Sequence, residues 1–329
     1  MNIQAFWSRK GFLNILLLPL SLLFGLVAVL RRGASRFGIL ASGHPGVPVI
    51  VVGNLAAGGS GKTPFAIWLV QWLAAQGRRP GVVSRGYGRE GKGLHEVEAD
   101  SSAAQAGDEP LLIRAKTGVP VVVGADRLAA AHLLRARHPE VDIIVSDDGL
   151  QHYRLQRDLE LVLADGATLF GNGWLLPAGP LREPRSRLRG ADALVLTLRD
   201  GNAAKLAAPI PVFEVRHAPA GFRRLADNAR QASPPARTGG EMQAVTGIPR
   251  PQAFFSLLDR LGVPHTPRAF PDHHRFVAGD IARDAAVVMT EKDAVKCQAF
   301  AGPEWWALEL ALVPDPALPD WLRARPELN

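Results

Sequence analysis

Three groups of residues in this chain have the types and spacing for phosphoryl chemistry. The first is AAGGSGKT at 56–63. In a glycine-rich turn, successive backbone N–H groups can curl around phosphate oxygens. Ala56, Ala57, Gly58, Gly59, Ser60 and Gly61 would form that cradle. Lys62 would reach the β- and γ-phosphates of a nucleotide, and the Thr63 hydroxyl would ligate Mg²⁺. The strict pattern G-x-x-x-x-G-K-[ST] asks for glycine at position 56, where this chain has Ala56. The second group is SDDGLQH at 146–152, in which Asp147 and Asp148 follow the apolar run VDIIV and suit the shell of a metal. The third is FPDHHRF, with Asp272, His273 and His274. A histidine beside an aspartate is the usual pairing for an oriented proton acceptor. Zinc would need more ligands than this triplet supplies.

Other polar residues carry two readings on pattern alone. Asp108 and Glu109 of AGDEP precede a helix, where acids are ordinary first-turn residues. Arg127 follows a strand-like run and is as compatible with solvent as with phosphate. Arg182, Arg185, Arg187 and Arg189 cluster in a proline-containing loop that suits either an anionic substrate or a solvated basic face.

Elements must hold these groups in place. VPVIVVGNL is rich in β-branched residues and reads as a buried parallel strand, and PFAIWLVQWLAAQG reads as a helix ending at Gly77. Strand, glycine-rich turn and helix in that order give the P-loop context. Asp147 and Asp148 then sit at the carboxyl end of a neighbouring strand, the edge at which open α/β sheets bind ligands. VPVVVGADRLAAAHLL, MQAVTGIP, RPQAFFSLLDRLG and AAVVMTEKDAVK continue the alternation. The expected fold is α/β: a P-loop NTPase-like, mostly parallel sheet flanked by helices, with a smaller C-terminal α/β domain and an N-terminal apolar, membrane-associating helix. The expected division is 1–32 for the membrane segment, 33–200 for the P-loop domain and 201–329 for the smaller domain. Neither TLRD nor TEKD fits the N-K-x-D guanine pattern, which favours ATP.

Composition narrows the partners. The chain has 329 residues, 47% of them hydrophobic, and one cysteine, Cys297, so no internal disulfide forms. A formal charge of +7 favours anionic partners. Aromatics are 7%, and no RNA-binding signature or zinc-finger spacing accompanies the charge, so nucleic acid is not expected. Residues 12–30 carry no charge and approach the ~20 residues that span a hydrocarbon core. Basic residues flank both sides, so they give no orientation. A helix or hairpin lying in the interface, with Pro19 and Gly25 as bend points, competes with a spanning helix and with a buried core helix.

The ordered set GNLAAGGSGKTP, SRGYG, GDEP, VGADR, SDDGLQH, LLPAGPLREP, TGIPRPQAFF, FPDHHRF and TEKDAVK resembles the tetraacyldisaccharide 4'-kinases. The resemblance runs through most of the chain and includes the apolar segment. It implies transfer of the γ-phosphoryl of ATP to the 4'-hydroxyl of a tetraacyldisaccharide 1-phosphate, giving lipid IVA, at the cytoplasmic face of the inner membrane. By this resemblance Asp108 and His273 form the base pair that activates the hydroxyl, with His274 as the substitute for His273. Asp147 and Asp148 surround Mg²⁺, and Arg127, Gln151, Arg182 and Glu183 line the acceptor site. The second domain closes over the P-loop, and no obligate protein partner is implied. The competing function is a membrane-associated P-loop ATPase switch that phosphorylates no lipid.

Overall fold

The computed structural model describes residues 3–198, 201, 204, 206–233 and 242–328. The chain forms two compact units: residues 1–85, 119–217 and 312–329 make the first, and 86–118 and 218–311 the second. This differs from the division expected from sequence. Asp200, where that boundary falls, lies outside the described residues. Residues 86–118, expected in the P-loop domain, belong to the second unit, because the helix Asp108–Thr117 packs there against the helix Glu291–Cys297. Lys116 of the first helix pairs with Glu291 of the second. The last residues of the chain return to the first unit, where Trp321 packs on Phe213.

The first unit is built on a parallel sheet. Its strands run in the order Val121–Val123, Pro80–Ser84, Ile143–Asp147, Val49–Asn54, Leu159–Asp165, Ala193–Leu198, followed by the start of Val212–Arg224. The central strands are buried along their whole length, as expected where helices cover both faces. The helices Lys62–Ala75 and Arg127–Arg137 each follow a strand in this sheet.

The second unit has its own parallel strands, in the order His265–Ala269, Met242–Thr246, Val287–Thr290, Trp305–Pro314. The period-2 alternation of a strand divides their side chains between two cores. Ala244, Val288 and Trp306 join Phe254, Phe255 and Leu258 on one face. Val245, Val287, Met289 and Trp305 join Phe276 and Cys297 on the other. Burial pushes the Cys297 thiol up to about 12, so it stays protonated and unreactive.

The apolar segment forms two helices, Phe12–Leu16 and Leu18–Arg36. The break falls at Leu17. Pro19 therefore starts the second helix, where its missing N–H costs nothing, and does not bend one. Gly25 lies within that helix and lets it approach Leu175, whose side chain would meet a Cβ at 2.5 Å. The opposite face is bare: Leu22 is 72% exposed and Leu30 61%. A buried core helix is therefore ruled out for this segment.

One face of the segment is stitched to the rest of the first unit. Ser21 Oγ donates to Leu175 O at 2.9 Å and accepts from Ala178 N at 2.9 Å. Asn14 Nδ2 donates to Ala178 O at 2.8 Å, and Trp7 Nε1 to Pro177 O at 3.1 Å. Deleting residues 1–32 would orphan several buried groups, each worth about 1–3 kcal/mol. We expect that truncation to lower the melting temperature. Leu22→Gln with Leu30→Gln, on the bare face, should leave melting unchanged and release protein from membranes in a pelleting assay. Equal melting temperatures for truncated and full-length protein would contradict the stitched arrangement.

Candidate active site

In the first unit the strand Val49–Asn54 runs into the glycine-rich turn. Gly61 has φ 75°, a left-handed conformation natural to glycine, and caps the helix that Lys62 begins. Asn54 Nδ2 donates to Ser60 Oγ at 3.0 Å, and Thr197 Oγ1 donates to Ser60 O at 3.0 Å, so Ser60, late in the turn, is tied to the ends of two strands. Ala56 and Ala57 are covered from outside: Ala57 N donates to Pro180 O at 2.7 Å, and Arg182 N to Leu55 O at 2.7 Å. That pairing carries Arg182 to the turn. Thr63 lies in the first helical turn beside Lys62.

Asp147 ends its strand opposite Val52, which places the acid pair next to the turn. Asp148 has φ 50°, unusual for a non-glycine residue and a form of strain that concentrates at functional sites. Its Oδ1 lies 3.6 Å from Lys62 Nζ and 3.5 Å from Arg182 Nη1. Burial alone would raise its pKa, but Lys62, Arg182 and Arg127 together hold the carboxyl below the usual carboxylate range. Arg127 is buried; it donates to Ala125 O at 2.8 Å and to Asp148 O at 3.4 Å. Gln151 Nε2 donates to Asn54 O at 3.0 Å and to Glu183 Oε1 at 3.1 Å. Glu183 also accepts from the Tyr153 hydroxyl and faces Arg187 at 3.6 Å, so its carboxylate is engaged by the protein itself. The structure thus brings Lys62, Arg127, Asp147, Asp148, Gln151, Arg182 and Glu183 around one turn.

His152, which ends SDDGLQH, supports this array from behind. Its Nε2 accepts from Arg127 N at 3.1 Å, which requires the neutral ring. Burial, then the charge of Arg127, pushes its pKa down to about 4. Above pH ~6.5 both folded and unfolded states hold it neutral. As pH falls below that, only the unfolded state gains the proton, so stability drops until about pH 4 and then levels. We expect this one group to cost on the order of 2–3 kcal/mol across that window. His152→Gln should flatten the corresponding fall in melting temperature; an unchanged slope would contradict the neutral assignment.

The second unit holds the other constellation. Asp108 starts its helix after Gly107, whose φ of 88° no β-carbon residue adopts easily. His273 Nδ1 lies 3.1 Å from Asp108 Oδ2, and the His273 backbone has φ 57°. Asp108 and His273, which the expected division puts in different domains, therefore meet within one unit. The ring of Tyr87 packs edge-on to His273 at 5.2 Å. His274 faces elsewhere. It contacts Asp280 at 2.9 Å, stacks on Phe270 and meets Phe276 edge-on.

Two lysines join this pair that the sequence reading did not single out as site residues. Lys292 Nζ is 3.3 Å from His273 Nε2, and Lys296 Nζ is 3.7 Å from Asp108 Oδ2 and 2.8 Å from Asp293 Oδ1. Their i, i+4 spacing in TEKDAVK, on one helical face, is the signal that could have found them. With Lys292 charged and donating to Nε2, Nδ1 is left as the donor to Asp108. Burial would raise the pKa of Asp108. The hydrogen bond from His273 and the charges of Lys296 and Lys292 more than offset this and hold it below its ordinary value. The result is an ionised, oriented carboxylate.

Comparison with known proteins places the chain among the tetraacyldisaccharide 4'-kinases. The LpxK family model, described as tetraacyldisaccharide-1-P 4'-kinase, matches residues 13–327. A tetraacyldisaccharide 4'-kinase of Thiobacillus denitrificans is 54% identical over 99% of each chain. One from an Azoarcus species is 52% identical over 92% of this chain and 89% of its own. Among solved structures, Aquifex aeolicus LpxK in complex with ATP superposes with a TM-score of 0.81 at 30% identity, covering 95% of this chain and 99% of that one.

Proposed function

The chain belongs to the tetraacyldisaccharide-1-P 4'-kinase family, and from that premise we propose how its residues divide the transfer of a phosphoryl group from ATP to the 4'-hydroxyl of a tetraacyldisaccharide 1-phosphate. The glycine-rich turn at 56–61 cradles the nucleotide phosphates, and Lys62 neutralises charge that develops between the β- and γ-phosphates. Thr63, Asp147 and Asp148 are hard oxygen donors beside that cradle. They fit Mg²⁺, which takes one or two protein carboxylates and fills its remaining positions with phosphate and water. Bound there, the ion would offset phosphate charge. Arg127 and Arg182 face the transferred group, while Gln151 and Glu183 fix the Arg182 loop and the acceptor beside it.

Asp108 takes the proton of the attacking hydroxyl. His273 orients it, and the lysines keep it ionised at neutral pH. Base and phosphate must act on one hydroxyl, so this reading requires the second unit to deliver Asp108 to the nucleotide during turnover. Exclusion of water at that step would suppress idle hydrolysis. The bare helix Leu18–Arg36 and the +7 charge support a working position at the anionic cytoplasmic leaflet of the inner membrane, where a lipid acceptor would reside.

The Asp108–His273 contact carries the reading, because a hydrolytic switch has no need of a base for an alcohol. Labelled ATP supplied with the acceptor in micelles should yield labelled lipid. Release of free phosphate alone, with or without acceptor, would instead establish the switch.

A further inference from the structure

The basic loop RSRLRG, which the proposed kinase site does not use, borders a cleft of its own in the first unit. The cleft encloses about 920 Å³, and Arg32, Ser35, His44, Arg157, Arg187 and Arg189 contribute to its lining. It sits at the start of the central strands: Asp158 on its wall accepts from the N–H of Val49, the first residue of the strand whose far end leads into the P-loop. At ~3.3 Å per strand residue, that separates it from the phosphate cradle by roughly 15–20 Å.

The acids of the cleft are already engaged. Asp158 contacts His44 at 3.0 Å, and Glu160 is held by Arg157 at 2.8 Å and Arg187 Nη2 at 2.6 Å. The remaining positive ends converge. A Cβ on Gly190 would lie 3.1 Å from Arg32 Nη2 and 3.5 Å from Arg187 Nη1, so two guanidinium groups approach one small region that a glycine leaves open. Arg187 is 3% exposed, and its Nη1 has no well-formed hydrogen bond among the described residues; the Tyr153 hydroxyl, which donates to Glu183, is left as a neutral acceptor beside the guanidinium. Two guanidinium groups converging on one point, and a buried Nη1 that stays weakly engaged although Arg187 pairs with Glu160 through Nη2, are costly in the protein alone. An oxyanion removes both costs, and the planar N–H forks of arginine match phosphate oxygens.

Arg32 lies in the last turns of the bare apolar helix, so an anion at this point sits where the helix would leave the lipid. We propose that the cleft binds the phosphate group of a membrane lipid, at a site separate from the P-loop. Such a site would fix the rotation of the helix at the bilayer, beyond what apolar burial specifies.

The test is flotation of the full-length protein with phosphatidylcholine vesicles, with and without phosphatidylglycerol. Gly190→Val fills the point of convergence without removing a charge, and Arg32→Gln with Arg189→Gln removes charge without touching the buried ion pair. Each variant should lose about tenfold or more of the affinity gained from phosphatidylglycerol, the factor expected for losing charge-assisted hydrogen bonds. Binding to neutral vesicles, and lipid phosphorylation in detergent, should match the unaltered protein. A parallel melting measurement compares inorganic phosphate with chloride at equal ionic strength. If phosphate stabilises the unaltered protein but not Gly190→Val while vesicle binding is unaffected by the substitutions, the cleft takes free phosphate and the lipid assignment fails. If neither measurement responds to the substitutions, the cleft is not a phosphate site.

Discussion

Replacing Lys62 with alanine lowers the rate of lipid phosphorylation by at least ~10²- to 10³-fold, the range seen when one preorganised electrostatic donor is removed. The lysine stands at the head of the helix Lys62–Ala75, mostly buried, with Asp148 Oδ1 3.6 Å away. No other cation begins that helix; Arg182 reaches the same Asp148 oxygen from its own loop, and Arg127 reaches the Asp148 backbone O. Alanine therefore leaves a cradle of N–H groups without a charge to follow the migrating phosphoryl. A second consequence is local. Lys62 heads the charges that counter the burial of Asp148, so the Asp148 carboxyl should rise toward its ordinary value in the variant. The loss should fall mainly on kcat, measured as labelled lipid formed at saturating ATP. Turnover close to that of the unaltered enzyme would falsify the P-loop assignment.

Why this part of the site was legible is a matter of range. Strand, turn and helix at 49–75 are contiguous, and each is specified by its own residues: β-branched runs, glycines with a left-handed φ, then helix formers. Asp147 and Asp148 were legible one step further, because an apolar strand in a parallel sheet must end at the ligand-binding edge. Beyond that, local pattern gave out. Asp108 looks like an ordinary first-turn acid, and its unit is decided by packing of its helix against a partner some 180 positions along, through contacts such as Lys116–Glu291. Lys292 and Lys296 share only a helical face in TEKDAVK, and it is that packing that turns them toward His273 and Asp108. The apolar helix was legible from its lack of charge. Its seam was not, since Ser21 and Asn14 are polar residues whose partners lie more than 150 positions away.

The second large effect concerns Asp108 and His273. An alcohol is a poor nucleophile at neutral pH, and a positioned base contributes ~10²- to 10⁴-fold. Asp108→Ala should lower kcat by that range with ATP affinity nearly unchanged, because the residue belongs to the second unit and the phosphate cradle to the first. His273→Ala should lose a similar factor. The double variant should be little worse than either alone, since the two act through one hydrogen bond at 3.1 Å. Multiplicative losses would separate their roles. His274→Ala distinguishes the neighbours: it removes a ring lodged against Phe270 and Phe276 and should reduce melting temperature more than kcat. The lysines supply a pH signature that packing alone would not. Asp108 lies below its ordinary pKa because His273, Lys296 and Lys292 outweigh its burial. Removing the Lys296 charge takes away one of the groups that offset burial, and the carboxyl pKa rises. The acid limb of kcat in Lys296→Met should then shift to higher pH, with activity recovering as pH is raised. An acid limb that stays in place while activity falls uniformly would show that Lys296 only holds the fold, through its 2.8 Å contact with Asp293.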